Sequence, residues 1–398
     1  MQKKIALLTV VLLEILLIAT FDGRLFSRAK DQTRYSIGVD KRIELLSAVQ
    51  IFTSWREKGI WRYDYPYKQD MKNYFQQYSN HEAVIICEEL ISHGFSYDAP
   101  VGLMFYLSSP PELEIVVPFS GYLISRAGNV KILEDFVNAL RDFYVVSNFD
   151  GFWQSHHDFY NDVEERASRN IDLSGTVQKL ENYFGTQQHE YHVILAPVFW
   201  GNYGPRVKVN GSYDVFSVLC PMSIAENVPI FMGALFHEFA HSFVNPITEE
   251  FRGEFKDPER LYEPIEAVMS NMAYGNWETM INEHIIRAIE IIVYNEPQEI
   301  ANQEQIGFIY IRPLINCLSK YNSSYESFQE FYPNIVDLFN NLAENQRPFI
   351  ETPLGIAVTL TAIAVISTIV TFIFYKKGKI HPSSNTFFLI SLNHKCIH

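Results

Sequence analysis

The stretch Val228-Pro229-Ile230-Phe231-Met232-Gly233-Ala234-Leu235-Phe236-His237-Glu238-Phe239-Ala240-His241-Ser242-Phe243-Val244-Asn245-Pro246 decides how this chain is read. Its centre, His237 to His241, fits HExxH, in which two histidines one helical turn apart hold a zinc ion and the intervening glutamate activates a zinc-bound water. From Phe231 to Val244 there is no proline and a single glycine, and the only ionisable groups are the motif's own. A largely buried helix of about 15 residues is expected, begun near Glu226-Asn227 and stopped by Asn245-Pro246. Positions i and i+4 lie about 40° apart around a helix, so His237 and His241 project from one face. Glu238, rotated by roughly 100°, sits at the edge of that face, able to reach a metal-bound water but poorly placed to ligate the ion. Three ionisable groups on one turn of a buried helix need a compensating partner, and a divalent cation (Zn²⁺) supplies one. The bland alternative is a surface helix with an i,i+4 polar pair, and the apolar flanks argue against it.

A catalytic zinc usually has three protein ligands and an open position. The metzincin continuation fails, because Asn245-Pro246 and Glu249 stand where its glycine and third histidine would be. The leading candidate for the third ligand is Glu283, on a second stretch with apolar residues at helical spacing that runs to Tyr294. His284, Glu249, Glu250 and Glu290 are the alternatives, and an ordinary helix carboxylate paired with Arg287 at i+4 is the plain reading of Glu283. The pair Asn282-Glu283, 42 residues after His241, resembles the downstream Asn-Glu of gluzincins, the zincin metallopeptidases whose third ligand is glutamate.

These assignments define an expected mechanism. Zinc on His237, His241 and Glu283 would acidify its water and polarise a scissile carbonyl, with Glu238 as general base. An oxyanion donor is also needed; Tyr274, Tyr294, Arg287 and His284 lie near the third-ligand segment, and sequence does not rank them. The apolar segments 192–198 and 214–219, separated by turn-rich 200–205 and 210–211, read as two strands of a small sheet that can align an extended peptide.

The chain ends carry membrane signals. Residues 354–375 are 22 uncharged, mostly apolar residues followed by Lys376-Lys377-Gly378-Lys379, long enough at 1.5 Å per residue to span roughly 33 Å, with the lysines cytoplasmic. A transmembrane helix over 353–375 and a cytoplasmic tail over 376–398 are expected. Lys3-Lys4 and an apolar stretch interrupted by Glu14 read as a signal peptide or uncleaved N-terminal anchor over 1–21. Both options leave residues 22–352 outside the cytoplasm. Of the net charge of −14, the first 21 residues contribute +1 and the tail +4, leaving −19 between them. So acidic a surface disfavours nucleic acid and anionic lipid headgroups. The four cysteines have no metal-site spacing and read as buried free thiols.

The fold expected is α+β and predominantly helical, with a small sheet beside the HExxH helix. Segments 40–55, 68–78, 82–93 and 130–149 belong to a helical N-terminal lobe over 22–185, followed by a metal-binding region over 186–300 and a helical region over 301–352 built on 303–318 and 324–342. His81, His156 and His157 read as capping or packing groups, and His189 and His192, at odd strand spacing, are not expected to ligate jointly. The segments Val39-Asp40-Lys41-Arg42-Ile43-Glu44-Leu45-Leu46-Ser47, His81-Glu82-Ala83-Val84, Phe95-Ser96-Tyr97-Asp98-Ala99-Pro100 and the HEFAHSFVNP run resemble a bacterial and archaeal family known as domain of unknown function 4932. The likeness spans roughly residues 36–345. It implies an extracytoplasmic, zincin-like domain and no particular substrate. The resulting expectation is a membrane-anchored, extracytoplasmic zinc metallopeptidase acting on a peptide or protein. The alternative from another class is a non-catalytic, zinc-stabilised ectodomain that binds a surface partner.

Overall fold

The computed structural model describes residues 34–220 and 234–346, together with Thr361. The expected leader, membrane helix and tail lie outside these residues. Among those described, no helix is long and apolar enough to cross a membrane. Helices predominate around one four-stranded sheet, an α+β arrangement. The strands are β1 (Tyr35–Gly38), β2 (Glu190–Leu195), β3 (Arg206–Val209) and β4 (Ser212–Leu219), in spatial order β1-β2-β4-β3. β1, β2 and β4 run parallel, with Val193 opposite Ser217 and Leu195 opposite Leu219, while β3 is an antiparallel edge strand. Asn210 and Gly211, at φ 47° and 89°, make the two-residue hairpin turn that joins β3 to β4. Asn-Gly favours this turn because both central positions need positive φ.

Side chains alternate across a strand, so a strand buried on both faces feeds two cores. Tyr191, Val193, Leu195, Val215 and Leu219 face one core, and Ile194, Phe216 and Val218 face the other. The second of these faces is covered by α1 (Lys41–Gln50), α2 (Glu82–Ser92), α3 (Asp98–Met104) and α4 (Val130–Val146). Just past α3, Phe105 stacks on Phe216 with ring centroids 3.9 Å apart. The opposite face is covered by α5 (His157–Asn170), α6 (Leu173–Phe184), α7 (Leu235–Glu250), α8 (Trp277–Tyr294), α9 (Ile311–Leu318) and α10 (Pro333–Asn345). α5 bridges the two, giving Tyr160 to the first core and Val163 and Ala167 to the second.

Side-chain caps fix several helix starts by satisfying amides that have no intrahelical partner. Asp40 caps α1, His81 Nδ1 accepts from Ala83 N–H at the head of α2, and Asn129 caps α4. Asn276 caps α8, which ends on Asn295 in the left-handed region. His156 packs against Phe152, 4.2 Å between ring centroids. Cys87, Cys220 and Cys317 are buried free thiols.

Several helix bounds differ from the sequence expectation. α7 does not stop at Asn245-Pro246 but carries Pro246 internally and continues to Glu250. An internal proline costs roughly 3 kcal/mol, and here packing outweighs it. Thr248, fully buried two residues on, joins Val244, Asn282 and Tyr332 by hydrogen bonds. The single helix expected over 303–318 is broken at Gly307, whose φ of 113° suits glycine and whose added Cβ would lie 2.6 Å from Val268. The segment 324–342 becomes a short turn, Phe328–Phe331, and then α10, which opens on Pro333. α4 ends at Val146, and Asn148 at φ 49° starts a separate helix.

Candidate metal centre

α7 inserts its apolar stripe beneath the sheet. Phe239 meets Tyr191 edge-on at 5.4 Å, and Phe243 stacks on Phe184 at 4.6 Å. With those rings fixed, His237 and His241 turn the other way, toward α8, their rings 4.9 Å apart. Facing them is Glu283, which divides its carboxylate between the two imidazoles. Oε2 lies 3.3 Å from His237 Nε2, and Oε1 lies 3.3 Å from His241 Nε2. The three groups offer ligand atoms all within 4.8 Å of one another.

The Nδ1 atoms are held separately. His237 Nδ1 lies 3.1 Å from Glu290 Oε2, and His241 Nδ1 lies 3.3 Å from Asn245 Oδ1. An imidazole that donates Nδ1–H to a carboxylate or amide oxygen keeps its lone pair on Nε2, which is how metal-ligating histidines are oriented. Donors held about 2.0–2.1 Å from a tetrahedral zinc lie about 3.4 Å apart, close to both Nε2–carboxylate separations. With their protons on Nδ1, the two imidazoles and the carboxylate fit a zinc ion in tautomer and spacing.

Electrostatics bind the cluster. Burial pushes the His237 imidazole down, but the carboxylates of Glu283 and Glu290 reverse this and hold it well above its ordinary value. Burial likewise pushes Glu283 up, and the two histidines overcome it, leaving Glu283 well below the carboxylate range. Glu238 is 8 % exposed; burial raises its pKa, with His237 and His241 opposing only in part. It belongs to no ligand cluster among the described residues, so its carboxylate is free of the role given to Glu283.

The groups around the ligands also have defined tasks. Arg287 lies 3.4 Å from Glu283 Oε2, 3.2 Å from the Tyr274 hydroxyl, and over the Phe308 ring. The i+4 pair expected of an ordinary helix carboxylate thus coexists with the histidine contacts. His284 is fully buried and points elsewhere: Nδ1 donates to the Met280 carbonyl at 2.8 Å, and the ring packs on Phe308 and Tyr310. Burial pushes it down to about 4. Glu249 and Glu250 are exposed at the far end of α7, Glu250 holding Gln329. Tyr294 stands at the end of α8, against Phe236 and Lys179.

Four residues around the site have roles that the sequence does not signal. By its residue type Glu290 is only a candidate ligand, yet positions 283, 287 and 290 share one helix face at i, i+4 and i+7. Asn245, which with Pro246 has the sequence signature of a helix stop, instead lies within α7 and faces His241. Gly204 abuts the motif, and a Cβ there would lie 2.3 Å from the Glu238 carbonyl oxygen, so only glycine permits this approach. Asn282 ties α7 and α8 together through Thr248.

No curated protein and no solved structure matches the chain. A family model described as a domain of unknown function (DUF4932) matches residues 35–338, a span that takes in the four described strands and the two helices that carry His237, His241 and Glu283. The chain belongs to the DUF4932 family.

Proposed function

We propose that this protein is a zinc-dependent metallopeptidase of zincin, specifically gluzincin, type, in which His237, His241 and Glu283 hold the metal and Glu238 moves the proton. The observation that carries this reading is the split of the Glu283 carboxylate between two Nε2 atoms at 3.3 Å each, with Glu238 buried beside them and outside the cluster. When bound, zinc supplies Lewis acidity, polarising a carbonyl oxygen and acidifying water. The Glu238 carboxylate takes a proton from the water that attacks the scissile carbonyl carbon. It returns that proton to the leaving nitrogen as the C–N bond breaks. Its raised pKa suits both halves of the task, since a shuttle works best with a pKa near the working pH.

The edge strand β3 supports a peptide substrate. It follows directly on Gly204-Pro205, and Gly204 touches the Glu238 backbone. An extended peptide added along that edge runs past the motif. The membrane segments expected at 1–21 and 353–375 would hold this domain outside the cytoplasm, with the tail inside. The acidic charge of the intervening chain argues against nucleic acid as partner.

Digestion of a peptide library by the full-length protein tests the reading, with Glu238→Gln as control. The variant is expected to retain zinc and to lose peptidase activity by ~10²–10⁴-fold. Full activity in Glu238→Gln, or wild-type protein that carries no zinc, would refute it.

A further inference from the structure

We propose that Glu190, His192 and Asp214 form a second site for a divalent transition-metal ion, on the face of the sheet opposite the HExxH helix. Glu190 and His192 are two residues apart on β2 and therefore share a face, and Asp214 is the direct partner of Glu190 on β4. That face also carries Ile194, Phe216 and Val218, which belong to the first core, whereas α7 lies against the second. Each of the three side chains offers one ligand atom, and these lie within 4.8 Å of one another. His192 Nε2 and Glu190 Oε2 are 3.3 Å apart, close to the separation of about 3.4 Å between two ligands on a tetrahedral ion.

The imidazole is held for ligation rather than left to rotate. Ser36, the partner of His192 on β1, places its hydroxyl oxygen 2.8 Å from Nδ1. Nδ1–H donation to that oxygen leaves the lone pair on Nε2, directed at the carboxylates. The ring also stacks on Phe216, at 4.8 Å between centroids and 23° between planes. Asp214 is oriented in turn by His189, whose Nδ1 is 2.6 Å from Oδ1. His189 is thus a neighbour of the site and not a fourth ligand.

A cation accounts for the pairing of two carboxylates at directly opposed strand positions, where like charges repel. Asp214 is 23% exposed and Glu190 43%, so water screens that repulsion mainly at the Glu190 carboxylate and less at Asp214. One imidazole and two carboxylates, with no thiolate, suit zinc or manganese. An ion here clamps β2 to β4, and through Ser36 to β1, at the strand ends where the parallel pairs begin.

Zinc titration of the full-length protein, stripped of metal beforehand and followed by calorimetry and elemental analysis, tests this. The wild-type chain is expected to take up about two equivalents, and Glu190→Gln with Asp214→Asn about one. Conversely, His237→Ala with His241→Ala keeps about one equivalent, which His192→Ala then removes. Circular dichroism checks that each variant is folded, and the near-isosteric amide pair answers the question if the alanine variants are not. The proposal is overturned by uptake that stays the same in the amide pair. It is equally overturned by zinc that binds outside the HExxH site only at millimolar concentration. Wild-type uptake of about one equivalent that is unchanged in His237→Ala with His241→Ala and lost in the amide pair would refute the first site and leave this one standing.

Discussion

Replacing Glu290 by alanine removes the carboxylate that receives Nδ1–H from His237, 3.1 Å away. Nothing in the ligand set itself changes, since Glu283 remains on both Nε2 atoms. The loss is therefore one of orientation and basicity: His237 becomes free to rotate and to place its proton on Nε2. Outer partners of metal-bound histidines are worth about 10–100-fold in affinity, or ~1.4–2.7 kcal/mol. The Glu290 side chain is 27% exposed, so water can partly replace it, which puts the expected loss nearer tenfold than a hundredfold. Glu290→Gln keeps an acceptor oxygen and is expected to lose only a few-fold. Glu283→Ala deletes a ligand and should lose more than either. The assay is competition for zinc against a chromophoric chelator at fixed pH and salt. Wild-type affinity in Glu290→Ala would refute the orienting role. An equal loss in the alanine and glutamine variants would assign the effect to charge rather than to the hydrogen bond.

Two further outcomes can be checked by unfolding measurements. Glu44 lies fully buried against the hydroxyl of Tyr67, and burial pushes its carboxyl up to about 8 from an ordinary 4.5. A folded pKa above the unfolded one means that this group's contribution is fully present below about 4.5 and is lost as pH rises through about 8. Glu44→Gln is therefore expected to flatten that decline and to raise the thermal midpoint at pH 8 relative to wild type; a parallel pH profile in both proteins would refute it. Gly204→Ala drives a methyl group into the Glu238 carbonyl, at a built distance of 2.3 Å. The expected cost is about 1–3 kcal/mol in chemical denaturation together with lost peptidase activity, and wild-type values of both would show that the loop simply moves aside.

The site was more legible in the sequence than the frame around it. That His237 and His241 share a face follows from helical periodicity alone, because the spacing of i and i+4 is geometry rather than context. Glu283 needed tertiary structure to be separated from His284: adjacent residues differ by about 100° around a helix, and the packing of Phe308 and Tyr310 turns His284 away. Pro246 misled because a proline is a local signal, while Thr248, Asn282 and Tyr332 supply a nonlocal one. β1 escaped notice because Tyr35–Gly38 is four residues long, and its partner, β2, lies some 150 residues further on.

The two-sided sheet determines how this protein can be cut. A fragment beginning after Gly185 keeps β2, β3, β4, α7 and α8, yet strips the cover from Ile194, Phe216 and Val218. It also discards α5 and α6, and with α6 the Phe184 ring that stacks on Phe243 in the HExxH helix. Such a piece presents a bare apolar sheet face to water and is prone to self-association. A fragment that keeps α7 and α8 with both sheet faces covered therefore has to start ahead of β1, near residue 34.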